Sequence, residues 1–258
     1  MSLLLSEFRK LTFARANWWL LLAAVAFTVF GTAVSPIAIQ ATESIIGLGL
    51  DSQEVVDSVY ANAISGYVFA IIIGILLMSG EFRHGTAVAT FLSRPNRALV
   101  LIAKFVLAAV TGALLMLISA LAAIAVTFPV LTLFPEAAAP SDDIFINLVV
   151  ASLLSGAVLG VIGVAIAALV RSQVISIVGS LIYLFLIDPI LITVLPEVGK
   201  WLPSGLITAM LSLDISSVEL GIDTTKFLEP LPAALVLVGY AALLGVAALM
   251  TSMRRDID

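Results

Sequence analysis

The chain has 258 residues, of which 62% are hydrophobic and 11% are charged, and its formal net charge is −5. Soluble domains are usually about 45–50% apolar and about 25% charged, so this composition excludes an ordinary soluble domain and favours a protein of the lipid bilayer. A nucleic-acid-binding protein is excluded as well, because it would need a basic surplus. The absence of cysteine and the single histidine exclude disulfides, thiolate metal sites and multi-histidine metal sites.

The N-terminal segment, residues 1–17, is predicted to be a helix that lies in the membrane interface. Leu4, Phe8 and Leu11 recur at helical spacing, while the basic residues point elsewhere. A basic tail that only orients the chain is the alternative. The apolar run that follows, residues 18–40, exceeds the roughly 7–15 apolar residues of a signal peptide, so it is predicted to be a retained span.

Six apolar runs are long enough to cross the bilayer, since about 20 residues rising 1.5 Å each cover the hydrocarbon layer. They should be helices, because backbone exposed to lipid must satisfy its own hydrogen bonds. The predicted fold class is therefore an all-α membrane protein with six transmembrane helices in a single domain, residues 1–258. The predicted spans are 18–40, 60–79, 98–128, 144–170, 174–195 and 231–252.

Charged residues are sorted between alternate connections of these spans. The N-terminal segment, the C-terminus and the connections after spans 2 and 4 together hold ten bases and four acids, with Lys104 counted among the bases. The connections after spans 1, 3 and 5 hold two bases and twelve acids. The positive-inside rule therefore predicts that both termini are cytoplasmic.

The connection between spans 2 and 3, residues 80–97, reads GEFRHGTAVATFLSRPNR. Phe82, Thr86 and Leu92 share one helical face and Pro95 ends the pattern, which predicts a short amphipathic helix on the cytoplasmic side. An ordinary basic loop is equally compatible with the periodicity, because such a loop needs only the arginines.

The connection after span 5, residues 196–230, contains a second apolar stretch, Trp201–Leu213. This stretch is too short to span the bilayer, so it is predicted to re-enter the membrane from the outside. Non-helical backbone at that depth would have to be buried in protein. The alternative is a surface loop that carries a small hydrophobic helix.

Asp188 is an acid within predicted span 5 and directly precedes Pro189. An intramembrane acid is costly and faces protein or water, which makes Asp188 a candidate intramembrane polar site. Pro189 is expected to break the helix there, so that Asp188 lies near the outer interface or caps a following short helix. A structural role and a contact with a substrate or ion both stay open.

No motif for catalysis or nucleotide binding is present. No GxxxxGK[ST] occurs, and His84 lies outside the predicted spans, away from any intramembrane serine. No catalytic, cofactor-binding or metal-binding residue is therefore predicted, and the chain is not expected to be an enzyme. Gly156, Gly160 and Gly163 are assigned to close packing between helices.

Several segments resemble bacterial ATP-binding-cassette transporter permeases of the type-2 export class, which share the ABCG-like type V exporter fold. Residues 6–11 are similar to the N-terminal connecting helix of that family, and Leu202–Gly205 to its re-entrant segment. The most specific likeness is a six-residue segment that in the family docks on the ATPase, here Glu81, Phe82, Arg83, His84, Gly85 and Thr86. The resemblance covers essentially the whole chain.

The resemblance implies a permease subunit of an ATP-driven exporter in the bacterial plasma membrane, with residues 81–86 as the contact that couples it to the ATPase. It implies a separate ATP-binding-cassette ATPase subunit, which would hold ATP and magnesium, and a second permease copy, in a homodimer, or a related permease. The family's substrates range over drugs, peptides, lipids, polysaccharides and ions, so no substrate is indicated. A non-transporting membrane anchor or immunity subunit, a channel or secondary carrier, and an intramembrane enzyme without a visible catalytic pair are the alternatives.

Overall fold

The structure is a computed structural model that describes residues 15–46, 49–83, 97–212 and 227–254. All regular elements in these ranges are helical, and six stretches are long and apolar enough to cross a membrane. The predicted all-α class and the six apolar spans are therefore confirmed. The stretches are Arg15–Glu43, Gln53–Gly80, Ala98–Leu131, Ile144–Val170, Gln173–Val194 and Pro230–Thr251.

Ten α-helices, a 3₁₀ turn and a π-helical turn follow one another along the described part of the chain. They are α1 (Arg15–Ile46), α2 (Gln53–Ala61), the 3₁₀ turn (Asn62–Gly66), α3 (Tyr67–Arg83), α4 (Arg97–Leu131), α5 (Ile144–Val170), α6 (Gln173–Ile182), the π turn (Tyr183–Ile187), α7 (Asp188–Val194), α8 (Pro196–Gly199), α9 (Pro203–Ala209) and α10 (Pro230–Arg254).

The second span begins earlier than its predicted first residue, Tyr60. Helix α2 starts at Gln53, where the Ser52 hydroxyl accepts a hydrogen bond from the backbone N–H of the third helical residue at 3.4 Å. Two acids in α2 interrupt the apolar run, and for that reason the pattern alone places the start too late. One of them, Asp57, is stabilised because its carboxylate accepts a hydrogen bond from the Ser141 N–H at 2.9 Å.

Three predicted segments lie mostly outside the described residues. Of the interfacial helix, residues 1–17, only 15–17 are described, and they form the first turn of α1 without a break before the span. Residues 84–96 of the connection after α3 and residues 213–226 of the connection before α10 also lie outside the described ranges.

Helix α5 lies at the centre of the bundle and packs against α3, α4 and α10. Of its most apolar stretch, 61% is buried, compared with 28% in the fifth and sixth spans. The chain is therefore built around α5, and α6 and α10 lie at its periphery.

Glycines on α5 let its neighbours approach to backbone contact. A Cβ atom added to Gly156 or Gly112 would collide with the backbone of the other residue, and one added to Gly160 would collide with the Ala108 carbonyl of α4. Gly163 makes the same kind of contact with α3. Lipid gives no hydrophobic drive for helix association, so close van der Waals packing stabilises the contact. The assignment of these α5 glycines to helix packing is confirmed.

The acidic connections meet at one end of the bundle. The Gln40 amide donates a hydrogen bond to the Glu136 carboxylate at 3.3 Å, which joins the end of the first span to the connection after the third. The Asn147 amide donates to the Leu211 carbonyl at 3.5 Å, which brings the connection after the fifth span to the same end. The acid-rich connections are thus neighbours in space.

Replacing Gly160 by alanine is expected to destabilise the protein by about 1–3 kcal/mol, because the added methyl group must push α4 away from α5. Gly239→Ala in α10 is the matched control, since a Cβ at Gly239 meets nothing within 4 Å. Because both substitutions raise helix propensity by the same amount, the difference in stability between the two variants measures the packing cost at Gly160. Thermal unfolding of the purified variants in one detergent measures it, and equal midpoints would contradict the close contact.

Candidate functional site

Asp188 is the first residue of α7 and directly follows the π turn. Its backbone N–H donates to the carbonyl of Tyr183, five residues back, as in a π-helix. The expected helix break at Pro189 is wrong, because the helix widens into the π turn and continues to Val194. A widened turn is one of the ways in which a membrane helix accommodates a proline that interrupts its hydrogen-bond ladder.

The Asp188 carboxylate is fully buried and bound to one residue of the following connection, Ser204. One carboxylate oxygen accepts from the Ser204 hydroxyl at 2.7 Å, and the other accepts from the Ser204 backbone N–H at 3.2 Å. Hydrogen bonds to a charged group contribute about 1.5–3 kcal/mol each, which offsets part of the cost of burying the acid.

This contact supplies a cap that α9 lacks in its own sequence. Ser204 lies in the first turn of α9, and the residue in the N-cap position, Leu202, has no side-chain oxygen with which to accept a hydrogen bond from the helix. Asp188 accepts it instead, from sixteen residues earlier in the chain. Of the two positions predicted for Asp188, near the outer interface or as the cap of a following short helix, the contact with Ser204 matches the second, and the helix that it caps is α9, beyond α8.

The connection after α7 is packed on the spans by further contacts. The Tyr240 hydroxyl of α10 donates to the Trp201 carbonyl at 2.9 Å. Leu206 and Ile207 of α9 are buried, and Gly205 lies in backbone contact with Gly199. Helix α9 is therefore largely covered by protein, whereas Val198 and Trp201 before it are exposed.

A cavity of about 480 Å³ lies between α3, α5, α6 and α10, and residues just before and at the start of α9 form part of its wall. Its wall is mostly apolar, and no charged side chain of the described residues lines it. Hydroxyl groups on α6, the π turn and α10 are the polar exceptions. The lining includes Ile71, Leu159, Ile166, Leu184, Leu202, Leu244, Ser176, Ser180, Tyr183 and Tyr240.

The hydroxyls of this cavity differ in their hydrogen bonding. The Ser176 hydroxyl donates to the Ser172 carbonyl at 2.8 Å, and Tyr240 is bound to Trp201 as described above. The Ser180 hydroxyl is buried and has no hydrogen-bond partner among the described residues. Leaving a buried hydroxyl unpaired costs about 1–3 kcal/mol, so Ser180 is the unusual group of the site.

A second cavity, of about 610 Å³, lies between the end of α3 and the turn that joins α5 to α6. Ser79, Arg171 and Gln173 are among its lining residues. Arg171 ends α5 in a left-handed conformation with φ 57°, and Ser172 caps α6 by accepting a hydrogen bond from the Ile175 N–H at 3.5 Å. This cavity adjoins the end of the bundle at which α3 leads into the predicted coupling segment.

Lys104 lies inside the bundle rather than in the basic connection with which the sequence pattern groups it. It belongs to the second turn of α4, is 1% exposed, and its ammonium donates to the Leu77 carbonyl of α3 at 3.1 Å. The hydrogen bond from the Lys104 ammonium thus links α4 to α3.

The predicted coupling residues are described only in part. Glu81, Phe82 and Arg83 form the last residues of α3, and His84, Gly85 and Thr86 lie outside the described ranges. Within the ranges that are described, no three histidine, aspartate or glutamate side chains are grouped so that they could hold a metal ion. Sequence reasoning missed Ser180 and Ser204, although the serines four apart in α6 and the serine after Leu202-Pro203 are visible in the sequence.

No family model matches the sequence, and a search of curated proteins finds no significant match.

Asp188→Ala and Ser204→Ala are each expected to lower stability, and the double variant should lose little more than Asp188→Ala alone, because Asp188→Ala already removes the hydroxyl bond that Ser204→Ala removes. The expected coupling is about 1.5–3 kcal/mol. Asp188→Asn should lose less, since an amide oxygen still accepts from the serine. Thermal unfolding of the purified variants measures the cycle.

The matched control for this cycle is Thr193→Ala, which removes an exposed hydroxyl of α7 that bonds only within its own helix. It should leave the unfolding midpoint unchanged. Additive losses for Asp188→Ala and Ser204→Ala would show that the two residues do not stabilise the protein through each other.

Proposed function

We propose that the chain is the membrane-spanning permease subunit of an ATP-driven exporter and works with a separate ATP-binding-cassette ATPase chain. The observation that carries this proposal is the cavity inside the spans, bordered at one end by the Leu202–Pro203 turn that leads into α9. A membrane anchor needs no such space, whereas a transporter needs a place between its spans for the transported molecule.

The energy source is proposed to lie in the partner chain. The sequence has no phosphate-binding loop, so ATP and magnesium would be held by the ATPase, and this chain would supply the pathway. The resemblance of residues 81–86 to the family's docking segment supports that division of labour. A second copy of the chain, or a related permease, would complete the pathway.

Helix α3 is the proposed mechanical link between the ATPase and the cavity. Its last residues are Glu81, Phe82 and Arg83, and Ile71 on the same helix lines the cavity. The ten residues from Ile71 to Glu81 cover about 15 Å along a helix. A displacement of the docking segment would therefore reach the cavity wall through one rigid element, and ATP-driven closure of the ATPase pair would alternate access to it.

The orientation proposed for this subunit has both termini and the docking segment in the cytoplasm. The neighbouring acidic connections, with two bases and twelve acids, would then face outward, and the basic connections would face inward, as the positive-inside rule requires. In this orientation the connection after α7 is the outer, re-entrant segment.

Because the chain has no cysteine, single cysteines report this orientation without a background. An impermeant maleimide added to intact cells should label Ala139→Cys, at an exposed position between α4 and α5, and should not label Asn96→Cys. Permeabilised cells should give labelling of both. If only Asn96→Cys were labelled in intact cells, the chain would have the opposite orientation to the one proposed.

An ATP-binding-cassette ATPase should co-purify with the tagged protein from its native membranes and be identified by mass spectrometry. Glu81→Ala with Arg83→Ala should lower the ratio of ATPase to permease by about fivefold or more, the loss expected when interface residues contribute above 1 kcal/mol. ATP-dependent movement of substrate in vesicles separates a permease from a non-transporting anchor.

The control for this pair is Glu197→Ala with Lys200→Ala, which also removes one acid and one base. These two side chains form a salt bridge of 2.6 Å in and just after α8, at the other end of the bundle, where such pairs contribute about 0–1 kcal/mol. The control should retain the ATPase. Wild-type binding by the Glu81 and Arg83 variant would overturn their proposed role.

A further inference from the structure

Ser180 is one of three buried serines, with Ser79 and Ser152, whose hydroxyls have no hydrogen-bond partner among the described residues. Most other buried threonines and serines bond back to a carbonyl of their own helix, as Thr28 does to Ala24 at 2.9 Å and Ser119 to Leu115 at 2.9 Å. Ser180 makes no such bond, is 6% exposed, and lines the 480 Å³ cavity. Its hydroxyl is thus a hydrogen-bonding group at the wall of an apolar space.

The cavity has the size and lining of a ligand site. Its volume falls within the roughly 300–1,000 Å³ of pockets that hold small organic molecules, which are mostly apolar with a few placed polar groups. No described residue of its wall is charged, and the neighbouring Asp188, whose carboxylate accepts two hydrogen bonds from Ser204, is not part of that wall. A charged ligand would therefore stay unpaired in a medium of low dielectric constant, which excludes ions and strongly charged molecules.

The side of the cavity formed by α6 is open to the surface that faces lipid. Ile175 belongs to the lining and is 63% exposed, and a Cβ added to Gly179 would meet nothing within 4 Å. A molecule dissolved in the bilayer can thus reach the cavity beside α6 without crossing the packed centre at α5.

We propose that this cavity binds an uncharged, mainly apolar molecule that carries a hydrogen-bonding oxygen, such as an alcohol or a carbonyl compound, and that Ser180 pairs with that oxygen. The molecule enters from the lipid beside α6. The binding itself does not depend on the proposed function, whereas the identification of such molecules as transported cargo rests on it.

The experiment uses the purified chain in nanodiscs and two photoactivatable probes, a diazirine-bearing dodecanol and the same diazirine-bearing dodecane without the hydroxyl. Saturable labelling, mapped by peptide mass spectrometry, should fall on α6 and the α5 and α10 residues that face it. The alcohol should bind about three to ten times more tightly than the alkane, as one hydrogen bond provides.

Ser180→Ala should reduce the affinity of the alcohol to that of the alkane and leave the alkane unchanged. Ser152→Ala is the matched control, because Ser152 is also buried and unpaired among the described residues but does not line this cavity. Equal affinities of the two probes for the wild type, as expected if only lipid chains occupy the space, would overturn the proposal. So would an equal loss of both probes in Ser180→Ala.

Gly179→Leu should reduce labelling by both probes, because Gly179 lines the cavity on its open side and a bulky side chain there would narrow the entrance. Gly31→Leu, at another open position in α1, should label as the wild type does. Thermal unfolding confirms that each variant is folded, and unchanged labelling in a folded Gly179→Leu variant would contradict the site.

Binding and transport are separated in the complex with its ATPase. Wild-type labelling without ATP-dependent movement of the alcohol in vesicles would contradict its role as cargo and leave the binding site intact. Transport of other compounds by a complex in which Ser180→Ala has no effect on labelling would support the exporter and overturn the site.

Discussion

Backbone contact between α5 and its neighbours is the constraint on which the rest of this structure depends. Lipid competes equally well for apolar side chains, so the spans are held together by how closely their backbones approach. Gly112, Gly156 and Gly160 fix that approach between α4 and α5. The 480 Å³ cavity lies where α5 faces the two less buried spans, which contain α6 and α10.

Most polar groups inside the bundle have hydrogen-bond partners, and the partners differ between its two parts. Where helices touch, Lys104 donates to a carbonyl of α3, and most serines and threonines bond back to their own helix. Beyond α5, Asp188 binds the start of α9 and Ser180 has no partner. Among the described residues, unpaired buried hydroxyls occur in both parts, at Ser79 and Ser152 as well as at Ser180, and of these three only Ser180 lines the 480 Å³ cavity.

The features that the sequence predicts are those encoded by local composition and spacing. The six spans follow from apolar length, and the role of the α5 glycines follows from their spacing on one helix face. The pairing of Asp188 with Ser204 joins residues sixteen apart across two helix ends, and no periodicity reports it. The unpaired state of Ser180 depends on what lies opposite, which only the packed helices decide. The docking role of Glu81–Thr86 rests on resemblance and stays a prediction.

The π turn before Asp188 gives the fifth span a tolerance in chain length at this point. A π turn holds about one residue more than an α turn, so losing one residue there would restore a regular helix and leave everything beyond it on nearly the same face. Asp188 would then still face Ser204. The loss of one residue from a regular helix would instead rotate everything beyond it by about 100°. Phe185 and Leu186 in this turn are 57% and 56% exposed toward lipid, so other apolar side chains fit there. Evolution can therefore change both the residues and the length of this short stretch, whereas a regular helix tolerates only a change of residues.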